Sequence, residues 1–342
     1  MDGLKVLFLP AFGREGASSR FRVYQFLEPL RAAGWTAKVL AAPRRSHWSR
    51  TSYLARALMG ALGADVVMLQ KRLMGRGLGA LTRVNARLIY DLDDAIYLPP
   101  PGVRMPGEAL ARMRANLLRT ASLARVVTVG NKHLADYFTG VARRIMILPT
   151  VVDTERFRPV PRSRDRVVVV GWVGNPENLG YLEALNVVFA TLAAALPNRF
   201  VLRIVSRRPP RVLPAAPCEF RAWNLQREVT ELQDFDIGIM PLTDDEWTRG
   251  KCGFKAIQYM SVGATAVVSP VGANREIVRH GVNGLWAQTP DDWFGQLHRL
   301  IVDAVERQRL AEAALDTVAE RYSLRSVVPS LVALLQDVAG RT

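Results

Sequence analysis

The stretch that decides the fold runs from Arg249 to Gly272, RGKCGFKAIQYMSVGATAVVSPVG. Arg249, Lys251 and Lys255 fall within seven residues, with Gly250 and Gly253 between them. An apolar helical period follows, and then ATAVVSP, which reads as a buried strand ending in turn residues. A helix N-terminus presents unpaired backbone N–H groups and a partial positive charge, so cations placed there oppose the helix dipole. They make sense at that end if a multiply charged anion compensates them, and the two glycines let the backbone come close to it. The other reading is three solvated charges on a loop.

Working outward, KVLFLP, TAKVLAAP, DVVMLQ, RLIYDLDD, RVVTVG and RIMILPTVV read as short buried strands, several of them separated by helical stretches such as RFRVYQFLEPLRAAG. This is the βαβ rhythm of a doubly wound parallel sheet. DTERFRPVPRSRDR carries prolines and charges without an apolar period and reads as a linker. The rhythm restarts after it with DRVVVVGWVG, FVLRIVS, CEFRAW, FDIGIMPL, ATAVVSP and GLWAQ. Two α/β domains follow, residues 1–160 and 161–322, with a closing segment 323–342.

Ligands of open parallel sheets bind beyond the carboxyl ends of the strands. The loops there are AFGREGASSR, with Gly13 and Gly16 for close approach and Ser18 or Ser19 as a helix cap; Asp93-Asp94 after RLIYDL; and VGNPENLG, with Gly174 and Asn175. No GxGxxG is present, so a dinucleotide fingerprint is excluded.

The chain has 342 residues, 49% of them hydrophobic, and only two cysteines, Cys218 and Cys252, without metal-ligand spacing. That suits a reducing, cytoplasmic setting and no disulfide framework. The net charge of +15 is uneven: residues 1–160 carry 25 Lys+Arg against 11 Asp+Glu, and the remainder 21 against 20. A basic first domain fits an anionic membrane surface, or an Arg-rich composition on solvated faces. Nucleic acid is not expected, because no recognition helix, zinc motif or aromatic RNA platform is legible. Within PRRSHWSRTSYLARALMGALGA, Arg44, Arg45, Arg50 and Arg56 alternate with Trp48, Tyr53, Leu54, Leu58 and Met59. The pattern reads as a helix lying on the inner face of the cell membrane, or as an ordinary helix whose apolar stripe faces the sheet.

GWVGNPENLGYLEAL, FDIGIMPL and RGKCGFKAIQYMSVGATAVVSPVGANREIVRHGVNGLW resemble the group 1 (family 4-like) retaining glycosyltransferases of the GT-B fold, from about Val167 to Trp286. In the first domain, GREGASSRFRVYQFLEPLRAAGW and YDLDDAIY are similar to one branch of that family. The resemblance implies an α/β chain of two Rossmann-like domains whose parallel sheets face across a cleft. The acceptor is expected on the N-terminal domain and the nucleotide-sugar donor on the C-terminal one, with residues 323–342 crossing back to the first. It implies a diphosphate resting on the helix that begins near Gly253 and Phe254, neutralised by Arg249, Lys251 and Lys255. No metal or other cofactor is expected, since fixed cations stabilise the departing diphosphate. The implied acceptor is a glycan, a lipid-linked molecule or a small molecule.

The same resemblance points to particular residues. Asp93 and Asp94 stand where many members place a His facing the sugar, and with Lys255 they form the expected catalytic set. Gly13, Gly174, Asn175, Trp223, Gln258 and Glu276 join the donor-binding set, Trp223 where the family often meets the base; read locally, Trp223 is equally a core residue, Glu276 a helix cap and Asp93-Asp94 a turn or cap. His133 reads as a surface or packing residue rather than a base, and Arg203, Arg207 and Arg208 either reach the nucleotide or are solvated. The family's Glu, seven residues, Glu pattern falls on Gly250 and Gln258; the amide can hydrogen-bond a ribose hydroxyl but cannot act as a carboxylate. The Arg and Lys that commonly follow the first strand of the second domain are also missing, and the basic charge reads as having moved to Arg249 and Lys251. These departures leave open a catalytically degenerate GT-B protein; a nucleotide-sugar epimerase shares the architecture and is the other alternative, although a fuller set of acidic and His residues than four histidines supply is expected of it.

Overall fold

A computed structural model describes residues 3–42, 47–75, 77–100, 102–161, 166–212 and 214–340, without the side chains of 47–50. Arg44 and Arg45, the side chains of Trp48 and Arg50, and positions 162–165 of the linker lie outside the described residues. The chain divides into two compact units. The first comprises Met1–Val151, Gly250–Cys252 and Leu324–Thr342, the second Val152–Arg249 and Gly253–Ser323.

The first unit is built on β1 (Lys5–Pro10), β2 (Thr36–Val39), β3 (Val66–Gln70), β4 (Leu88–Leu92), β5 (Val126–Val129) and β6 (Ile145–Ile147), in the spatial order β2-β1-β3-β4-β5-β6. Every pairing is parallel. β3, β4 and β5 are buried at every position, as expected of parallel strands covered on both faces. The core on one face gathers Phe8, Phe26, Leu30, Trp35 and Met68 with Leu331, Leu334, Leu335 and Val338 of the Leu324–Ala339 helix. In the His47–Leu62 helix, Tyr53, Ala57 and Ala61 recur every fourth residue and are buried, and a Cβ on Gly60 would meet Leu7 at 3.0 Å. The apolar stripe of the basic segment thus faces the sheet, while Met59 and Leu62 stay 67% and 72% exposed.

The second unit holds β7 (Val168–Val173), β8 (Phe200–Ser206), β9 (Cys218–Ala222), β10 (Ile237–Met240), β11 (Thr265–Val268) and β12 (Leu285–Trp286), ordered β12-β11-β10-β7-β8-β9 and again parallel. The strand order reverses between β7 and β10, which places the ligand crevice of such a sheet at their carboxyl ends. Gly171 of β7 and Gly238 of β10 are register partners. Their missing side chains make room for two rings: a Cβ on Gly171 would lie 2.2 Å from Phe235, and one on Gly238 2.1 Å from Tyr259. The twelve strands read from the sequence are all present, with β6 and β12 shorter than their apolar runs.

Candidate active site

In the second unit, the helix Phe254–Ser261 starts beside the switch point of the sheet. Its N-cap, Gly253, has φ 61°, and no side chain caps it. A Cβ there would stand 2.3 Å from Ile277 Cδ1 and 3.0 Å from Asn274 Oδ1, so glycine is required twice over, by conformation and by space. Lys255 lies in the first turn, half-buried, with its ammonium 4.6 Å from the centroid of the Trp172 ring. That ammonium is also 2.9 Å from where a Cβ on Gly174 would be. One turn further along the same face, the Tyr259 hydroxyl accepts from Val173 N–H (3.1 Å) and donates to the Ile239 carbonyl (3.2 Å). Tyr259 therefore pins the helix to the ends of β7 and β10, and its burial pushes the phenol above its ordinary value.

The remaining donor-side residues separate into distinct places. Asn175 is exposed and opens the turn Pro176–Asn178, and Gln258 is buried on the helix that carries Lys255. Phe254 is half-buried, and Glu276 is exposed in the first turn of Asn274–Ile277. Trp223 follows β9, its backbone N–H donating to Ser206 and the Arg207 guanidinium lying 4.9 Å from its ring centroid. Arg203 is occupied by Glu219 and Asp234, at 3.1 and 2.7 Å. Arg249 ends the short helix Glu246–Arg249 and donates to Asp244 at 2.7 Å, a bond that holds the Asp244 carboxyl below its usual range. Lys251 falls in the three-residue strap Gly250–Cys252 of the first unit. The cation that reaches the β7 loop is Lys255. Arg249 is directed instead to a protein carboxylate.

In the first unit, polar side chains gather at the carboxyl ends of β1, β3 and β4. Lys71 follows β3 in the left-handed region (φ 50°), with its N–H donating to the Asp91 carbonyl at 2.8 Å. Its ammonium bonds Asp94 and lies 3.4 Å from Asp93 Oδ1. The Ser18 hydroxyl donates to the other Asp93 oxygen. Behind them, Arg22 and Asp91 form a fully buried pair, which Thr128 Oγ1 joins at 2.7 Å. Burial pushes Asp93 upward, but Lys71, Ser18 and Arg22 outweigh it and hold the carboxyl below its ordinary value. Burial likewise pulls Lys71 down, and the two aspartates more than reverse this. Asp93 is 9% exposed and serves the interior, whereas the Asp94 side chain keeps 29% exposure.

One local expectation changes. Ser18 and Ser19 do not cap a helix: the N-cap of Ala17–Arg22 is Gly16, and Ser19 instead donates to Gln70 at 2.7 Å and accepts from Phe12 N–H. Gly13 closes a turn by accepting from Gly16 N–H at 3.0 Å, and nothing stands within 4 Å of a Cβ built on it. His133 packs as expected, its Nε2 3.1 Å from the Tyr97 hydroxyl. The strap is seated by Asn131, whose amide donates to the Gly250 and Lys251 carbonyls at 3.1 and 3.0 Å while its oxygen caps Lys132–Phe138 at Leu134 N–H. Cys252 donates to the Asp93 carbonyl. Lys71 and Asn131 were not singled out from sequence. Asn131 could have been found by its cap position before a helical period, but a lone Lys after a strand carries no such signal. Among the described residues no group of three or more His, Cys, Asp and Glu is placed to hold a metal.

Residues 164–303 match the family model described as glycosyl transferases group 1. A D-inositol 3-phosphate glycosyltransferase of Geodermatophilus obscurus is 25% identical over 266 residues, 69% of this chain and 55% of that relative. The chain spans 21% to 59% of the length of the curated relatives it matches. Among solved structures, sucrose-phosphate synthase from Thermosynechococcus elongatus superposes with a TM-score of 0.76 at 13% identity, covering 99% of this chain and 100% of that one. Anabaena HepE in complex with UDP and glucose gives 0.72 at 15% identity, covering 98% and 100%. The fold is GT-B. The likeness to the group 1 glycosyl transferases is carried by residues 164–303, which lie within the second unit apart from the strap Gly250–Cys252.

Proposed function

We propose that the protein is a glycosyltransferase that takes a sugar from a nucleoside-diphosphate donor with retention of anomeric configuration and without a metal. The observation that carries the reading is the Lys255 ammonium at the end of β7, beside Gly174 and next to a helix start that no side chain caps. Such an end stabilises the negative charge that develops on the departing diphosphate, and it does so with groups fixed before reaction. Sugar nucleotides as donors gain support from the HepE structure, which holds UDP and glucose. The acceptor is assigned to the first unit, where Asp94 accepts a hydrogen bond from its hydroxyl and Lys71 keeps the carboxylate in place. In the retaining course the acceptor hydroxyl attacks on the face the leaving group vacates, and a diphosphate oxygen takes its proton.

The test is release of nucleoside diphosphate from UDP-, GDP- and ADP-sugars in EDTA, with the product anomer read by NMR. Release from one donor, abolished in Lys255→Met, supports the reading. Interconversion of two nucleotide sugars without release indicates an epimerase, release only with added Mg²⁺ removes the metal-free part, and no turnover indicates a degenerate member. The basic first 160 residues, with Met59 and Leu62 exposed beside Arg56, favour an acceptor presented at an anionic surface on the cytoplasmic side of the cell membrane. Failure to sediment with phosphatidylglycerol vesicles at low salt removes that part.

A further inference from the structure

Trp172 is among the largest fully buried side chains of the protein, and by burial alone it is a core residue. Its position says more. The outer edge of the indole lies 2.5 and 2.6 Å from where a Cβ on Gly174 would stand, so the ring extends beneath the backbone at the end of β7. The Lys255 ammonium is 4.6 Å from the ring centroid and 2.9 Å from the same Cβ point. Indole face, bare glycine and ammonium thus form one stack, held from behind by Tyr259 one helical turn away.

The chemistry of that stack suits a phosphate site. An ammonium in the first turn of a helix is repelled by the dipole and loses water on burial. The indole is the strongest cation–π partner among the side chains, and it attracts the ammonium without bringing an opposite formal charge. Gly174 completes the arrangement, because a methyl there would collide with both ring and ammonium.

We infer that Trp172 is a positioning residue for the nucleotide diphosphate: its indole holds the Lys255 ammonium over the end of β7, and affinity depends on the ring as a π surface as well as a core volume. The inference rests on the reading of Lys255 as the diphosphate cation. It is tested by a double-mutant cycle in the full-length chain, titrating UDP, GDP and ADP into wild type, Trp172→Phe, Lys255→Met and the double variant, with melting temperatures alongside. The expected result is a loss of about 3- to 10-fold for Trp172→Phe in the wild-type background and almost none in the Lys255→Met background. A packing role alone lowers the melting temperature in both backgrounds and gives losses that multiply, which overturns the inference. If Trp172→Phe does not fold, fluorinated tryptophan incorporated into wild type and Lys255→Met serves, since fluorination weakens the π face at nearly unchanged volume and should cost affinity only while Lys255 is present. Wild type that binds none of the three nucleotides removes the donor reading itself, and the inference with it.

Discussion

Replacing Lys71 with Met isolates the buried charge balance behind Asp94. Lys71 and Asp93 side chains are 14% and 10% exposed, and the variant leaves Asp93 buried without its nearest cation. Removing one partner of a buried pair costs about 3–5 kcal/mol. The lower end applies here because Ser18 still donates to Asp93 and water reaches Asp94. At about 2–4 °C per kcal/mol for a domain of this size, the melting midpoint of the first unit should fall by about 6–12 °C. The pH dependence carries a sign. In the wild type Asp93 titrates below its ordinary value, so its contribution is present above about pH 4 and is lost as pH falls through the folded-state value. Without Lys71, burial is opposed only by Ser18 and Arg22, so the folded-state value rises and part of this pH-dependent contribution is lost. Scanning calorimetry at pH 3 and pH 7 should therefore show a larger deficit at pH 7. A deficit below about 2 °C, or one equal at both pH values, would refute the assignment of Lys71 as the charge that holds Asp93.

Other perturbations address the neighbouring devices. Asn131→Asp keeps the oxygen that caps Leu134 N–H but turns an acceptor towards the Gly250 and Lys251 carbonyls, so it should cost about 2–4 kcal/mol by urea unfolding and raise hydrogen exchange in 250–252. Gly171→Ala places a methyl 2.2 Å from the Phe235 ring and should destabilise the second unit by at least about 1–3 kcal/mol, read as a lowered melting midpoint. Arg249→Ala removes an exposed contact to Asp244; the melting temperature should stay unchanged and nucleotide affinity should fall far less than in Lys255→Met.

The architecture was legible because parallel strands buried on both faces read as near-continuous apolar runs, as VVML, LIY and AVV do within β3, β4 and β11. Lys255 and Gly253 stood out in the sequence, since a cation and a bare turn at a helix start conflict with local energetics. The division of labour among the cations was not. Arg249 and Lys255 are equivalent by sequence spacing, and only the path of the chain gives one to Asp244 and the other to the Trp172 ring. The same holds for Asp93 and Asp94, adjacent in sequence but opposite in exposure. The Arg22–Asp91 pair spans 69 residues and is invisible to any local pattern. The contact between Trp172 and Lys255 was not legible, because the ring's partner comes from a helix more than eighty residues away.

The central claim is that the end of β7, with Lys255 above it, binds a nucleoside diphosphate. Calorimetric titration of wild type and Lys255→Met with UDP, GDP and ADP in EDTA tests it most directly. The account predicts that one nucleotide binds wild type with a Kd of about micromolar order and that the variant, melting at the same temperature, binds it at least about ten times more weakly. Equal affinity in the two proteins, or no binding of any of the three to the wild type, would contradict it.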